Sequence, residues 1–125
     1  MSDPGARALA YLGDAVYELR VRQHLISQGF TTADRLHTEA VRFTSAAGQA
    51  RALAAIVEAL SLEETAILKR GRNGGLSRKP RTEPLHVHHS ASALEALFGY
   101  WFLAGDTARI EAVFAIIVAK LDGVQ

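Results

Sequence analysis

Three acidic residues stand in apolar helical sequence, where a charge is normally avoided. Asp14 and Glu18 are four residues apart, so they share one face of a helix and their like charges repel each other. Asp14 is also a poor helix former. Glu95 is the only charged residue in the segment 90–104, and a helix this apolar is expected to be largely buried. None of these acidic residues stabilises its helix locally, which indicates that they are present for a chemical function.

Two glycines indicate where the helices that carry these carboxylates approach each other. Gly13 adjoins Asp14, and Gly99 lies one helical turn after Glu95 on the same face. Because a glycine inside a helix usually marks a close backbone approach, we expect the two helices to cross at these glycines. That crossing would bring the Asp14 and Glu95 carboxylates together.

Clustered carboxylates on rigid helices suit a hard divalent cation. Mg²⁺ prefers oxygen ligands and usually retains several waters. A carboxylate that is carried into an apolar interior loses several kcal/mol of hydration unless a cation meets it. The residues leave two alternatives open. Glu95 could form a buried salt bridge with a distant arginine such as Arg42 or Arg51, or it could remain a protonated or solvated carboxyl group.

Helices are predicted throughout the chain, and no segment alternates as a strand would. Asp3 and Pro4 fit the N-cap and first position of a helix, Gly29 fits a helix end, and Asp106 fits an N-cap. Ser61 and Glu64 have the spacing of a capping box. The sequence therefore predicts an all-α helical bundle. Its predicted helices are 6–27, a short piece opened by Thr31, Thr32 and Asp34, and the segments 37–60, 61–71, 90–104 and 107–121.

Length and composition limit the class of protein. The 125 residues fit a single domain, 1–125, and the 49% hydrophobic content is ordinary for a globular chain. The absence of cysteine excludes disulfides, thiolate metal sites and thiol catalysis. No apolar stretch is long enough to cross a bilayer, and the first residues do not resemble a signal peptide. The sequence thus predicts a cytoplasmic protein with no membrane partner.

Positive charge is concentrated in the segment 69–89. Six lysines and arginines there oppose Glu83 alone, a net charge of +5, whereas the other 104 residues carry −4. Glycines and prolines predict a long loop over 71–89, and loops of that length are usually functional or mobile. A basic loop on a mildly acidic body indicates an anionic partner, although a solvated surface loop would have the same composition.

The two acidic segments resemble the ribonuclease III family. Leu12-Gly13-Asp14, within residues 9–18, is similar to the core of its signature helix, and Glu95-Ala96-Leu97-Phe98-Gly99 is similar to its second acidic helix. Residues 45–50, 69–73 and 89–90 resemble the small Mini-III subgroup, which has the catalytic domain and no double-stranded-RNA-binding domain. The likeness covers essentially the whole chain.

The resemblance implies a homodimeric, all-helical ribonuclease III-type endonuclease domain. Its expected activity is Mg²⁺-dependent cleavage of double-stranded RNA by a metal-activated water, with Mn²⁺ as a substitute ion, leaving 5′-phosphate and 3′-hydroxyl ends. Asp14 and Glu95 match the metal-binding catalytic carboxylates, and Glu18 is a further catalytic candidate. Tyr11 matches an aromatic residue at the dimer interface, with packing in the chain's own core as the alternative. The subgroup implies maturation of the large-subunit (23S) ribosomal RNA precursor, with or without help from a ribosomal protein.

RNA is expected to meet the basic segment, because guanidinium groups suit phosphate oxygens. For His88 and His89, RNA contact or plain surface placement is favoured over general acid–base catalysis. Arg20, Arg22 and Arg42 could add phosphate contacts or play ordinary surface roles. The predicted RNA-binding residues are Lys69, Arg70, Arg72, Asn73, Arg78, Lys79, Arg81, His88 and His89.

Two positions depart from the larger ribonuclease III enzymes. Ala10 stands where they have a glutamate, and Ser92 stands where they have an aspartate. The departures, which the Mini-III subgroup shares, leave the number of metal ions open. The competing function is a non-catalytic helical RNA-binding or ribosome-assembly module. Such a module would have no reason to keep Asp14 and Glu95 in costly positions.

Overall fold

The computed structural model of this chain describes residues 4–74 and 85–122, with side chains described for residues 4–73 and 89–122. Within these ranges the chain is helical and contains no strand, which confirms the all-α prediction. No described helix is long and apolar enough to cross a membrane. The helices are α1 (Ala6–Ser27), α2 (Ala33–Thr44), α3 (Ala46–Ile56), a short 3₁₀ helix (Val57–Ala59), α4 (Leu62–Gly74), α5 (Leu85–Leu103) and α6 (Thr107–Asp122).

Several helix ends follow the sequence signals. The Ser61 hydroxyl accepts from the Glu64 backbone N–H at 3.1 Å, and the Glu64 carboxylate accepts from the Ser61 N–H at 2.9 Å, which completes the predicted capping box. Asp106 caps α6 by accepting from the Arg109 N–H at 3.1 Å. Gly29 follows the end of α1 with φ +96°, a conformation that favours glycine.

Ser45 divides the predicted helix 37–60 into two, so that prediction was wrong. Its backbone is extended (φ −65°, ψ 160°), and its hydroxyl accepts from the Gly48 N–H at 3.0 Å to begin α3. A serine can cap a new helix or lie inside an existing one. The alanines on both sides of Ser45 favour helix, so the sequence pattern gave no sign that α2 ends and α3 begins there. The start of α1 also differs from the prediction, because its N-cap is Gly5 and not Asp3.

The predicted bounds of the loop 71–89 were wrong at both ends, because α4 continues to Gly74 and α5 begins at Leu85. Residues 75–84 lie outside the described part. Gly71 does not end α4: a Cβ there would stand 2.8 Å from the Ala96 Cβ and 3.0 Å from the Ala93 Cα. This glycine therefore permits close packing of α4 on α5.

The hydrophobic core is centred on α5, which packs against α1, α3, α4 and α6. Leu94, Phe98 and Trp101 are fully buried, with Phe98 and Trp101 edge to face at 5.4 Å. Phe102, by contrast, is 50% exposed. It lies in the last turn of α5, next to the exposed residues 103–108, where the neighbouring helices no longer cover it.

A buried ion pair ties the end of α5 to α4 and α6. The Glu64 carboxylate accepts from Trp101 Nε1 and from two nitrogens of Arg109, all at 2.8 Å. Arg109 also donates to the Ala59 carbonyl at 2.8 Å. The Arg109 hydrogen bonds lower the pKa of Glu64 to about 2.

Glu64→Gln is therefore expected to destabilise the fold by about 2 kcal/mol at pH 7, because it leaves the guanidinium of Arg109 without its charge partner. A carboxyl whose pKa is lowered on folding contributes stability above its unfolded pKa, and that contribution fades as the pH falls toward 2. The gap between wild type and variant should accordingly narrow in urea titrations below pH 4. The exposed Glu58→Gln is the control; equal stability of both variants at pH 7 would contradict the expectation.

Candidate active site

Helices α1 and α5 cross at the two glycines, as the sequence predicted. A Cβ at Gly13 would overlap the backbone carbonyl of Glu95 and stand 2.7 Å from the Gly99 nitrogen. A Cβ at Gly99 would overlap the Leu9 carbonyl and stand 3.2 Å from the Gly13 nitrogen. The two backbones touch there, so the residues beside the glycines are held rigidly relative to each other.

The crossing places the Asp14 and Glu95 carboxylates within hydrogen-bonding reach of each other. Asp14 is exposed, whereas Glu95 is partly buried beneath it. Burial, and after it the negative charge of Asp14, raise the pKa of Glu95 to about 8. At neutral pH Glu95 therefore holds its proton unless a cation takes the place of that proton.

The salt-bridge alternative for Glu95 is not what the structure shows. Among residues 4–74 and 85–122, no lysine or arginine forms an ion pair with Glu95. Arg42 binds Glu39 at 2.8 Å, Asp122 at 3.2 Å and the Leu121 carbonyl at 2.6 Å. Arg51 is exposed. In the absence of a cation, Glu95 corresponds to the other alternative, a protonated carboxyl group.

Two side chains that the sequence did not single out lie near Glu95. Gln49 Nε2 donates to the Glu95 carboxylate at 3.3 Å. Tyr17 is 1% exposed and donates to the Phe43 carbonyl at 2.9 Å. Burial, reinforced by the charge of Glu95, raises the pKa of the Tyr17 phenol well above its usual range, so Tyr17 stays neutral. Tyr17 lies in an apolar stretch and Gln49 in an alanine-rich one. The polar side chain itself is the sequence feature that could have indicated a role for either residue.

Glu18 is not brought into the pair. It lies one turn after Asp14 on α1, and its carboxylate accepts from Arg22 at 3.2 Å. Glu18 is not among the groups that shift the pKa of Glu95. The structure thus places it beside the pair, on the rim of a groove between α1 and α2.

Four of the predicted RNA-binding residues, Lys69, Arg70, Arg72 and Asn73, are exposed in the last turns of α4. Gly71 contacts Ala93 and Ser92 there, so these residues lie beside the part of α5 that leads to Glu95. Arg70 also donates to the Pro4 carbonyl at 3.3 Å. His89 is partly buried, and its Nε2 has no hydrogen-bond partner among the described residues. The side chains of Arg78, Lys79, Arg81 and His88 lie outside the described part.

The other three arginines considered for RNA contact are held in ion pairs. Arg20 binds Glu111 at 2.7 Å and lies 4.6 Å from the centre of the Phe114 ring. Arg22 binds Glu18, and Arg42 joins α2 to the end of α6. The structure therefore favours the ordinary surface role for them.

Tyr11 is 86% exposed, which excludes the alternative that it packs in the chain's own core. Ala15, Leu19 and Ile26 are exposed along the same side of α1. Next to them is a groove of about 390 Å³ between α1 and α2, whose apolar lining includes Leu25, Leu36, Ala40 and Val41. An exposed aromatic side chain and an apolar groove thus adjoin the carboxylate pair.

The family model of the ribonuclease III domain matches residues 7–106 of this chain. The chain belongs to the ribonuclease III family. It is 36% identical to Mini-ribonuclease 3 of Streptococcus pneumoniae, covering 93% of this chain and 92% of that protein. Mini-ribonuclease 3 of Brevibacillus brevis is 37% identical, with coverages of 92% and 86%. A crystal structure of a protein from Fusobacterium nucleatum has a TM-score of 0.84 and 28% identity, with 93% of both chains covered.

Membership of the ribonuclease III family confirms the resemblance and the fold predicted from the sequence, and it makes the chain an endoribonuclease. RNA is accordingly its class of substrate. A non-catalytic assembly module, the competing function, loses its support. Enzymes of this family generally depend on a divalent metal, which raises the question of whether the residues present here can hold one.

The carboxylate pair fits a divalent cation. A cation would neutralise the repulsion between Asp14 and Glu95 that raises the pKa of Glu95. The described residues contain no group of three or more histidines, cysteines or acids that could hold a metal. Two carboxylates would leave several coordination positions for water or phosphate oxygens, which is how Mg²⁺ is usually held.

Proposed function

We propose that the chain is a Mg²⁺-dependent endoribonuclease that cleaves double-stranded RNA as a cytoplasmic homodimer. We further propose that it matures the large-subunit (23S) ribosomal RNA precursor, with or without assistance from a ribosomal protein. The observation that carries the proposal is the meeting of Asp14 and Glu95 at the crossing of α1 and α5. Burial, and after it the charge of Asp14, raise the pKa of Glu95 to about 8 in the absence of a cation, and a metal site explains why a fold would keep this pair.

Asp14 and Glu95 are the proposed metal-binding catalytic residues, and Glu18 is a further catalytic candidate at the rim. A bound Mg²⁺, or Mn²⁺ in its place, supplies a water of lowered pKa and neutralises charge on the phosphoryl oxygens. The protein holds the two carboxylates on touching helices, so little reorganisation is needed when RNA arrives. Ala10 and Ser92 provide no further carboxylates, so waters and RNA oxygens would have to complete the coordination of a metal held by Asp14 and Glu95.

RNA binding is assigned to the polar and basic residues from the last turns of α4 to the start of α5. Their positive charges match the phosphate backbone, and A-form RNA presents a shallow minor groove that is recognised mainly by shape. The proposed contacts are Lys69, Arg70, Arg72, Asn73, Arg78, Lys79, Arg81, His88 and His89.

Neutralising Arg78, Lys79 and Arg81 together is expected to weaken duplex RNA binding and to reduce its salt slope by about 3, roughly one unit for each phosphate contact. Binding is measured in chelator across a range of salt concentrations, so that cleavage does not interfere. The control neutralises three exposed cations elsewhere, Arg35, Arg51 and Lys120. A salt slope equal to that of wild type would remove the segment from the RNA site.

A second copy of the chain is the proposed partner of the exposed side of α1. Tyr11 and Leu25 are 14 residues apart, about 21 Å along the helix. Two α1 helices that pack antiparallel about a two-fold axis near Glu18 would place each Tyr11 opposite the groove of the other copy, beside its Leu25 and Leu36. The dimer would also provide one carboxylate pair for each RNA strand.

Tyr11→Ala is expected to weaken dimerisation about 30-fold, as the loss of a central aromatic anchor does. Sedimentation at several protein concentrations measures the effect. Leu62→Ala, at a position on α4 that is 92% exposed, is the control and should leave the mass unchanged. A wild-type chain that stays monomeric at high concentration would contradict the proposed dimer.

Duplex RNA cleavage with and without chelator tests the proposed function as a whole. Wild type should cut duplex RNA and a 23S precursor fragment in Mg²⁺, leave single-stranded RNA intact, and lose all activity when the metal is removed. Cleavage that persists in chelator would overturn the metal-dependent mechanism. Cleavage of single strands alone would overturn the assignment of double-stranded RNA as substrate.

A further inference from the structure

Gln49 is a deeply buried polar side chain at the edge of the carboxylate pair. It is 5% exposed and lies in the first turns of α3. Its Nε2 donates to the Thr44 carbonyl at 3.2 Å and to the Glu95 carboxylate at 3.3 Å. The same amide therefore joins the end of α2 to the acidic residue of α5.

The carbonyl oxygen of this amide has no use in the fold. Gln49 Oε1 is buried and has no hydrogen-bond partner among the described residues. Leaving such a group unsatisfied costs about 1–3 kcal/mol, so a native structure that keeps one calls for an explanation. An amide oxygen only accepts hydrogen bonds, so the missing partner is a donor.

The corner between α2 and α3 fixes where Gln49 points. The Ser45 carbonyl accepts from the Gln49 backbone N–H at 2.9 Å, and the Ser45 hydroxyl caps the helix through Gly48. A Cβ at Gly48 would overlap the Arg42 carbonyl and stand 3.0 Å from the Phe43 carbonyl carbon. The close packing of the turn fixes the backbone from which the Gln49 side chain extends, and the hydrogen bonds of Nε2 to Thr44 and Glu95 orient the amide.

We propose that Gln49 is a positioning residue of the metal site, with Nε2 holding the Glu95 carboxylate and Oε1 accepting a hydrogen bond from a water of the bound Mg²⁺. The inference rests on the proposed function and names a residue outside the carboxylate pair. A hydrated Mg²⁺ presents donors in its waters, which is the partner that Oε1 lacks. Side chains that support metal ligands in this way typically contribute 10–100-fold to metal affinity.

A purely structural Gln49 would also bridge α2 and α5, so the test must measure metal binding and not stability alone. Gln49→Met keeps the length of the side chain and removes both its donor and its acceptor. Mg²⁺ affinity of the RNA-free protein, measured by calorimetry, is expected to fall roughly 10–100-fold, with the helical circular dichroism and metal-free RNA binding retained. Gln28→Met makes the same change at an exposed position and should bind Mg²⁺ as wild type does.

A measurement on the wild-type chain decides the matter if Gln49→Met does not fold. The side-chain amide resonances of Gln49 should shift on titration with Mg²⁺ and saturate together with the metal site. Resonances that stay fixed while Mg²⁺ saturates the site, or a Gln49→Met variant with wild-type affinity, would overturn the role of Gln49. Glu95→Gln is titrated in parallel, because unchanged Mg²⁺ affinity in that variant would instead refute the metal site of the proposed function.

Discussion

Asp14→Asn and Glu95→Gln are each expected to lower duplex RNA cleavage by about 1,000-fold or more, because a metal ion contributes several kcal/mol of transition-state stabilisation. Each substitution keeps the shape of the side chain and removes the charge that holds the cation. RNA binding in chelator should stay close to that of wild type, since the basic residues are untouched. Cleavage rate and RNA affinity are measured on the same preparations.

Exposed carboxylates provide the controls for this experiment. Asp34→Asn and Glu58→Gln repeat the two chemical changes at exposed positions in α2 and in the 3₁₀ helix. Both control variants should cleave as wild type does. Mg²⁺-dependent cutting that survives in both Asp14→Asn and Glu95→Gln would show that the carboxylate pair is not the catalytic centre.

The Glu95 substitution should also change how stability depends on pH. Folding raises the pKa of this carboxyl to about 8, so its ionisation favours the unfolded chain. Wild-type stability therefore falls as the pH rises from the usual pKa of a glutamate towards 8, and it levels off above that pH. At pH 8 without metal, Glu95→Gln is accordingly expected to be more stable than wild type, since each unit of raised pKa corresponds to about 1.4 kcal/mol. Mg²⁺ should stabilise wild type and leave the variant unchanged in thermal unfolding.

Gly13→Ala is expected to be the most damaging substitution for the fold, at about 3 kcal/mol or more, because overpacking against backbone cannot be relieved by a change of rotamer. The new Cβ would overlap the Glu95 carbonyl and force α1 away from α5. Separating the helices should also part Asp14 from Glu95 and lower Mg²⁺ affinity. Urea unfolding and calorimetry measure the two consequences on one variant.

Gly5→Ala is the matched control, since nothing lies within 4 Å of a Cβ there and the φ of Gly5 is −69°. It should cost about 1 kcal/mol or less, as an alanine at a helix N-cap does. Gly13→Ala with wild-type stability would show that α1 and α5 can separate freely, and the rigidity claimed for the site would fail.

The carboxylate pair could be predicted from sequence because its signals are local. A charge in an apolar helix and a glycine beside it each violate a simple helix preference, and the two violations have one explanation when the helices cross. The capping box at Ser61 and Glu64 and the helix end at Gly29 are local in the same sense. Their geometry depends on a few consecutive residues, which the sequence displays directly.

Gln49 was missed for a physical reason that lies at Ser45. The orientation of Gln49 depends on the corner where α2 ends and α3 begins, and an uninterrupted helix over 37–60 has no such corner. Nothing in the sequence distinguishes a serine that caps a new helix from one inside an old helix when alanines surround it. Tertiary packing of Gly48 against Arg42 and Phe43 makes that choice.

Gly71 is a second residue whose role depends on tertiary packing and could not be predicted from the local sequence. Read alone, a glycine that follows a basic helix predicts the helix end. In the fold it continues α4, because a small residue is needed where α4 packs on Ala93 and Ala96. The role of this glycine is set by Ala93 and Ala96 of α5, more than 20 residues further along the chain, which local patterns do not reveal.

A crystal structure of the protein grown with Mn²⁺ tests the central claim most directly. If Asp14 and Glu95 hold the metal, an anomalous peak is expected between α1 and α5. It should lie within direct bonding distance of one oxygen of Asp14 and one of Glu95, about 2.2 Å from each. Waters should complete the coordination, with one of them bonded to Gln49. A Glu95 carboxyl that still pairs with Asp14 and Gln49 alone at saturating Mn²⁺, with the ion bound elsewhere, would contradict it.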